Sequence, residues 1–218
     1  MRPDTGEALR YLGAPTPPEE LRREVEGLAD ELSTSLQPQY TYRVFGPEYL
    51  PDGVRLDGAG VVLTGATAKK MLAGCNRAAV LACTLGARFE TRLRALQARD
   101  MAKAVIWDAL GSAFVEAGCG AAEEEVSARF PGLYLTDRFS PGYGDLPLEI
   151  QPALCAALDA GRRIGLTVTS SLLMNPAKSV TAILGLSDAP QPARVRGCRF
   201  CALAGSCQYR KEGTTCGC

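Results

Sequence analysis

SSLLMNPAKSVTAILGLS, residues 170 to 187, ends in the clearest β signal of the chain. SVTAILGLS (179 to 187) is β-branched and apolar and predicts a strand. GRRIGLTVTSSLLM (161 to 174) carries the same character in weaker form and is also expected to be strand. Upstream lies a segment of a different kind, TDRFSPGYGDLPLEIQ (136 to 151). It places Pro141, Gly142, Gly144 and Pro147 around Tyr143, which predicts an ordered loop. Asp145 is expected to cap the following helix, with Pro147 in its first turn and the helix running to about Ala160.

Further outward, Thr16, Pro17 and Pro18 open a predicted helix over residues 16 to 33, with Leu21, Val25, Leu28 and Leu32 on one stripe. QYTYRVFG (39 to 46) predicts a strand, and PEYLPDGVRLDG is turn-rich. GVVLTG and RAAVLACTLG, within residues 60 to 86, read as two continuously apolar strands around a short helix. Both are expected at the centre of a sheet, buried on both faces. Residues 87 to 117 predict helix with a break near Asp100, and 121 to 129 a further helical stretch. Gly111 inside that pattern implies close packing or close approach of a ligand. There is no internal repeat.

The chain has 218 residues, 46% apolar and 22% charged, enough for one sizeable core. Lys plus Arg and Asp plus Glu are 24 each, so no global positive field attracts nucleic acid. No apolar run approaches the ~20 residues of a membrane span, and MRPDTGEALRYLG lacks the apolar core of a signal peptide. A cytoplasmic location is expected. Histidine is absent, which excludes His general-base chemistry, Ser-His and Cys-His catalysis and His-ligated metals.

RFSPGYGD (138 to 145) combines a guanidinium, a phenol and two flexible glycines. Arg138 can hold a carboxylate by two hydrogen bonds, and Tyr143 can stack or donate. The set suits a small zwitterion or a nucleoside rather than a polyphosphate, and there is no GxxxxGK. A plain turn joining two elements is the alternative.

Arg138, Pro141, Gly142 and Tyr143, followed by Met174, Pro176, Ser179, Val180, Gly185 and Ser187, resemble the reactivation domain of cobalamin-dependent methionine synthase. That family pairs an Arg-x-x-Pro-Gly-Tyr loop with a later Met-x-Pro-x-x-Ser-Val segment. EALRYLG (7 to 13) and LACTLGARFE (81 to 90) are similar to its free-standing relatives. The resemblance spans about residues 5 to 188. It implies an α+β fold with a twisted, mainly antiparallel sheet and packed helices. It also implies S-adenosylmethionine bound along the sheet and the Arg138 loop, in the service of reductive methylation of a corrinoid. By the same resemblance, Arg138 contacts the ligand carboxylate, Ser140 offers its backbone, and Gly142 and Tyr143 line the nucleoside, with Met174 and Ser179 beside them. Gly144 and Asp145 depart from the Pro-Ala-Cys-Pro of the long enzymes. Ser112 stands where those enzymes carry a helical Glu that holds the ligand ammonium. Asp108, Ser112 or Glu116 takes that place, or the ammonium site is missing.

Of nine cysteines, five lie in GCRFCALAGSCQYRKEGTTCGC, beyond the linker at 189 to 197. The spacing C-x2-C-x5-C-x8-C-x-C suits thiolate ligation of a metal. Cys198, Cys201 and Cys207 supply three ligands, and Cys216 or Cys218 the fourth. Zinc and a [4Fe-4S] cluster both accept such a set, and a reactivation role favours the cluster because zinc carries no electron. Cys75, Cys83, Cys119 and Cys155 read as buried packing residues, Trp107 as core, and Lys178 as either near the ligand or solvent-exposed.

The function implied is an S-adenosylmethionine-binding activation protein. Its corrinoid comes from a methionine synthase or related methyltransferase partner, and its electrons from a flavodoxin or ferredoxin. The alternative is an iron-sulfur or zinc accessory protein that does not bind S-adenosylmethionine.

Overall fold

The computed structural model describes residues 1 to 192 and Gly205. The cysteine tail proposed as a metal site lies outside the described residues.

The central element is β5 (Arg77–Thr84), buried along seven of its eight residues. It is flanked by β1 (Gln39–Phe45) and β9 (Ser179–Ser187), both antiparallel to it, and the short β6 (Tyr134–Leu135) completes the order β1-β5-β9-β6. Side chains alternate across a strand, so each face of β5 needs its own cover. Ala79, Leu81 and Cys83 pack into a core with α1 (Thr5–Tyr11), α2 (Glu19–Ser35), α4 (Gly86–Gln97) and α5 (Met101–Arg129). Ala78, Val80 and Ala82 face a second core made by a meander of β2 (Pro47–Leu50), β3 (Gly53–Leu56) and β4 (Val61–Thr64). That second core also holds α3 (Ala66–Leu72), α6 (Gln151–Leu158) and α7 (Ala160–Ile164). The α+β class and the antiparallel sheet agree with the sequence reading.

Several local expectations are corrected. GVVLTG is not a central strand. β4 sits in the small sheet with Val61 and Leu63 inward and Val62 36% exposed, since a four-residue apolar run needs cover on one face only. The turn-rich 47 to 58 segment forms a β-hairpin. The predicted break falls at Asp100, whose carboxylate accepts from the Lys103 N–H at 3.1 Å. Beyond it α5 runs unbroken to Arg129, across the gap between the two predicted helices; Gly118, in that gap, and Gly111 are packing positions. A Cβ on Gly118 would stand 2.6 Å from Cys83 Sγ, and one on Gly111 2.2 Å from Phe89 Cζ. Gly111 therefore admits the Phe89 ring, which stacks on buried Trp107. Residues 161 to 174 are mostly not strand. Asp159, at φ 54°, ends α6, α7 follows, and Gly165, at φ 67°, ends α7. Only β7 (Thr167–Val168) and β8 (Met174–Asn175) pair there. Thr16 does not cap α2, which begins at Glu19 after Pro18. Cys75, Cys83, Cys119 and Cys155 are buried, as expected.

Candidate functional site

The outer edge of β9 positions the site. β6 pairs with Leu186 and Ser187, and Thr136 continues with its N–H on the Gly185 carbonyl at 2.9 Å. Phe139 then exchanges both backbone hydrogen bonds with Ile183, at 2.9 and 2.8 Å. There the ladder stops. No strand among the described residues pairs the outer edge of Ser179 to Thr181. Backbone groups of alternate residues face the same side of an antiparallel strand, so Thr181 presents its N–H and C=O outward, as Ile183 does. Beside this open edge lies a groove of ≈ 430 Å³. Ser140 and Pro141 form one wall, Leu172, Leu173 and Met174 another, and Ser179, Val180 and Thr181 the floor. The Thr181 hydroxyl donates to Gln151 Oε1 at 3.3 Å, tying α6 to the floor. Leu172 sits at φ 64°, a left-handed conformation that a leucine adopts only under constraint. A second cleft of ≈ 460 Å³ lies at α6, α7 and β7 and holds none of the candidate residues.

Alternation decides where Arg138 goes. Phe139 turns into the second core, 3% exposed, so its neighbour Arg138 turns toward α5. There the guanidinium donates to Glu116 and Glu123. Its side chain is 14% exposed, Glu123 22% and Glu116 42%. Burial acts to lower the Arg138 pKa, and the two carboxylates, Glu116 first, outweigh it and hold it above the ordinary value. Glu116 and Glu123 lie seven residues apart on one side of α5, within reach of a single guanidinium.

Further toward the start of α5, the Lys178 ammonium donates to Ser112 Oγ at 3.1 Å and pairs with Asp108 Oδ1 at 2.8 Å. Its backbone is fixed too, with its N–H on Glu90 Oε1 at 3.1 Å and its carbonyl accepting from Leu85 N–H at 3.0 Å. Ser179 is buried, and its hydroxyl donates to the Pro176 carbonyl at 2.7 Å.

The candidate residues thus fall into two groups. Ser140, Met174 and Ser179 line the groove. Asp108, Ser112 and Glu116 lie on α5, each engaged by a cation of the chain. Gly142 (φ 86°) and Tyr143 form the loop tip, with Tyr143 45% exposed. Glu123, the second carboxylate on Arg138, was not anticipated, and nothing in the run EEE (123 to 125) singles it out.

Asp145 is the main correction. It does not cap the helix that follows. Its carboxylate accepts from the N–H groups of Ala66 and Thr67 at 2.6 and 2.8 Å, capping α3 from a distant part of the chain. The Thr67 hydroxyl, followed by these two N–H groups, lowers its pKa to about 2. Pro147 instead precedes a short 3-10 turn, Leu148–Ile150, and Pro152 occupies the first turn of α6.

Among the described residues no group of three or more His, Cys, Asp or Glu side chains could hold a metal. No described helix is long and apolar enough to cross a membrane.

An antiparallel sheet whose β9 edge is open among the described residues, a helix crossing one face and a loop groove beside the last strand define an α+β architecture. No protein-family profile and no curated protein matches the chain. Among solved structures it is similar to one described as the crystal structure of the MetH reactivation domain bound to AdoHcy. The TM-score is 0.64 and the identity 17%, over 91% of this chain and 73% of that one. The chain has the fold of that domain.

Proposed function

We propose that the chain binds S-adenosylmethionine in the groove beside β9 and supports reductive methylation of a corrinoid held by a partner methyltransferase. The observation that carries this reading is the place of Arg138. It lies two residues before Ser140, which walls the groove beside the edge of β9 left open among the described residues, in a fold shared with a domain solved with AdoHcy. The volume lies within the range of small-molecule pockets. Thr181 offers an N–H and C=O that no strand among the described residues pairs, Tyr143 an exposed ring, and Arg138 a guanidinium.

Arg138 is already occupied, and this shapes the reading. A ligand carboxylate takes the place of Glu116, the more exposed of the two partners, while Glu123 stays on the guanidinium. Glu116, so released, accepts the ligand ammonium one turn from Ser112. Asp108 and Ser112 are held by Lys178, so Glu116 is the residue we assign to the helical carboxylate of the long enzymes. Bound S-adenosylmethionine supplies the methyl group that passes to the reduced cobalt of the partner. The tail cysteines Cys198, Cys201 and Cys207, with Cys216 or Cys218, would hold a [4Fe-4S] cluster, which would supply one-electron transfer from a flavodoxin or ferredoxin. Zinc in their place would leave the chain only its methyl-donor role.

Calorimetry on anaerobically prepared protein tests the ligand. Arg138→Ala should weaken S-adenosylmethionine about 10- to 100-fold through loss of a charge-assisted contact. Glu116→Gln should also weaken it, yet leave 5′-methylthioadenosine, which lacks the amino-acid end, unaffected. Tighter binding of S-adenosylmethionine by Glu116→Gln would show that Glu116 only competes for Arg138. The double engagement of Arg138 leaves room for a second reading, an accessory protein without this ligand; no heat and no thermal shift at millimolar S-adenosylmethionine would overturn the ligand reading. Anaerobic iron analysis and electron paramagnetic resonance test the cluster: about four irons per chain are expected, and one zinc without iron refutes it.

A further inference from the structure

Asp145 lies seven residues beyond Arg138 and reaches a helix that the chain completed long before. Its carboxylate receives the N–H groups of Ala66 and Thr67, and its own N–H donates to Thr67 Oγ1 at 3.3 Å. The contact is reciprocal: loop caps helix, and helix side chain receives loop. Two glycines make room for it. A Cβ on Gly65 would lie 2.7 Å from the Asp145 carboxyl carbon, and one on Gly144 2.3 Å from Thr67 Oγ1. Both glycines have positive φ, 102° and 60°, a conformation that residues with a side chain rarely adopt. Gly65 is itself fixed, its N–H on the Asp52 carbonyl at 2.9 Å, so α3 is a firm anchor at the end of the small sheet.

The other end of the loop is held by the Phe139–Ile183 bridge. Between these anchors run Ser140 and Pro141, which wall the groove, and the tip at Gly142 and Tyr143. Inside the loop, Tyr143 N–H meets the Ser140 carbonyl at 3.0 Å and Gly142 N–H the Leu146 carbonyl at 2.9 Å. These turns shape the loop without fixing it to the body. Leu146 does so with its buried side chain, and Asp145 with three hydrogen bonds.

We propose that Asp145 is a positioning residue: by clasping the start of α3 it holds the Ser140–Gly144 segment in the form that a ligand of the β9 groove meets. The proposal rests on the ligand reading above for its consequence, while the clasp itself is testable without ligand. It couples the order of the groove wall to α3 and the small sheet, elements that do not line the groove.

The experiment uses the full chain, with Asp145→Ala and Asp145→Asn, and two readouts. Chymotrypsin cleavage at the Tyr143–Gly144 bond reports loop order. In Asp145→Ala it should rise about 10-fold or more while the melting temperature moves little, because local opening of a surface loop is separable from global unfolding. Calorimetric affinity for S-adenosylmethionine should fall about 5- to 20-fold, since the loop must then be ordered at binding. Asp145→Asn should be intermediate in both, as its single amide oxygen can still accept one N–H. Unchanged cleavage in Asp145→Ala overturns the proposal. So does cleavage that rises throughout the chain together with a large fall in melting temperature, which marks a general structural role. So does increased cleavage with unchanged affinity, which shows that the loop's order does not matter to the ligand. If the unmodified chain binds no S-adenosylmethionine, the ligand reading and the positioning role fall together, while the cleavage result still decides the clasp.

Discussion

Arg138→Met removes one positive charge from between two carboxylates and keeps most of the side-chain length. Its cost follows from the burial of the three partners. Exposed ion pairs contribute about 0 to 1 kcal/mol, and removing one partner of a fully buried pair costs about 3 to 5 kcal/mol. The side chains here are 14%, 22% and 42% exposed for Arg138, Glu123 and Glu116, so the triad lies between these limits. We expect a loss of about 2 to 3 kcal/mol, arising from two carboxylates left facing each other without a cation. For a folded body of this size that is a fall of about 5 to 10 °C in melting temperature. Urea denaturation at pH 7 measures it directly. The mechanism is checked by Arg138→Met/Glu123→Gln, which removes the surplus charge and should recover about half of the loss. Glu116→Gln alone should be nearly neutral, because Arg138 keeps Glu123. A melting change within 1 °C for Arg138→Met, or a double variant worse than the sum of its parts, would refute the reasoning.

Gly111→Ala gains about 1 kcal/mol of helix propensity but drives a methyl group to 2.2 Å from Phe89 Cζ. Overpacking costs about 1 to 3 kcal/mol, so net destabilisation with altered Trp107 fluorescence is expected; increased stability would show that Phe89 repacks freely. The Asp145 carboxyl has its pKa lowered to about 2 from an ordinary 3.8. The cap therefore contributes fully above the ordinary value and is lost as pH falls through about 2. At pH 4 the Ala66 and Thr67 amides should be protected from hydrogen exchange, and Asp145→Ala should abolish that protection. Truncation after Ala189 should leave a cooperatively melting body, since β9 ends at Ser187 and both cores are built from earlier residues; a molten product would show that the tail packs into it.

What the sequence by itself determined was whatever depends on local pattern. The apolar run of β5 reads as a central strand because each of its faces meets a separate core, and SVTAILGLS reads as a strand. The stripe of α2 and the stop at Asp100 were legible for the same local reason. The resemblance carried by Arg138 to Tyr143 and Met174 to Ser187 anticipated the fold. What only the tertiary structure decided was which groups meet. Asp145 precedes a helix and reads as its cap, yet it caps α3, because the chain brings those N–H groups to it from 78 residues away. The predicted helix stops at 117 and a second begins at 121, yet α5 is continuous, and Gly118 in the gap admits Cys83 and Pro38. Arg138 reads as a free guanidinium, yet strand alternation at the Phe139 bridge turns it onto Glu116 and Glu123. Hydrogen bonds and ion pairs are satisfied in space, not along the chain, and no periodicity records their partners.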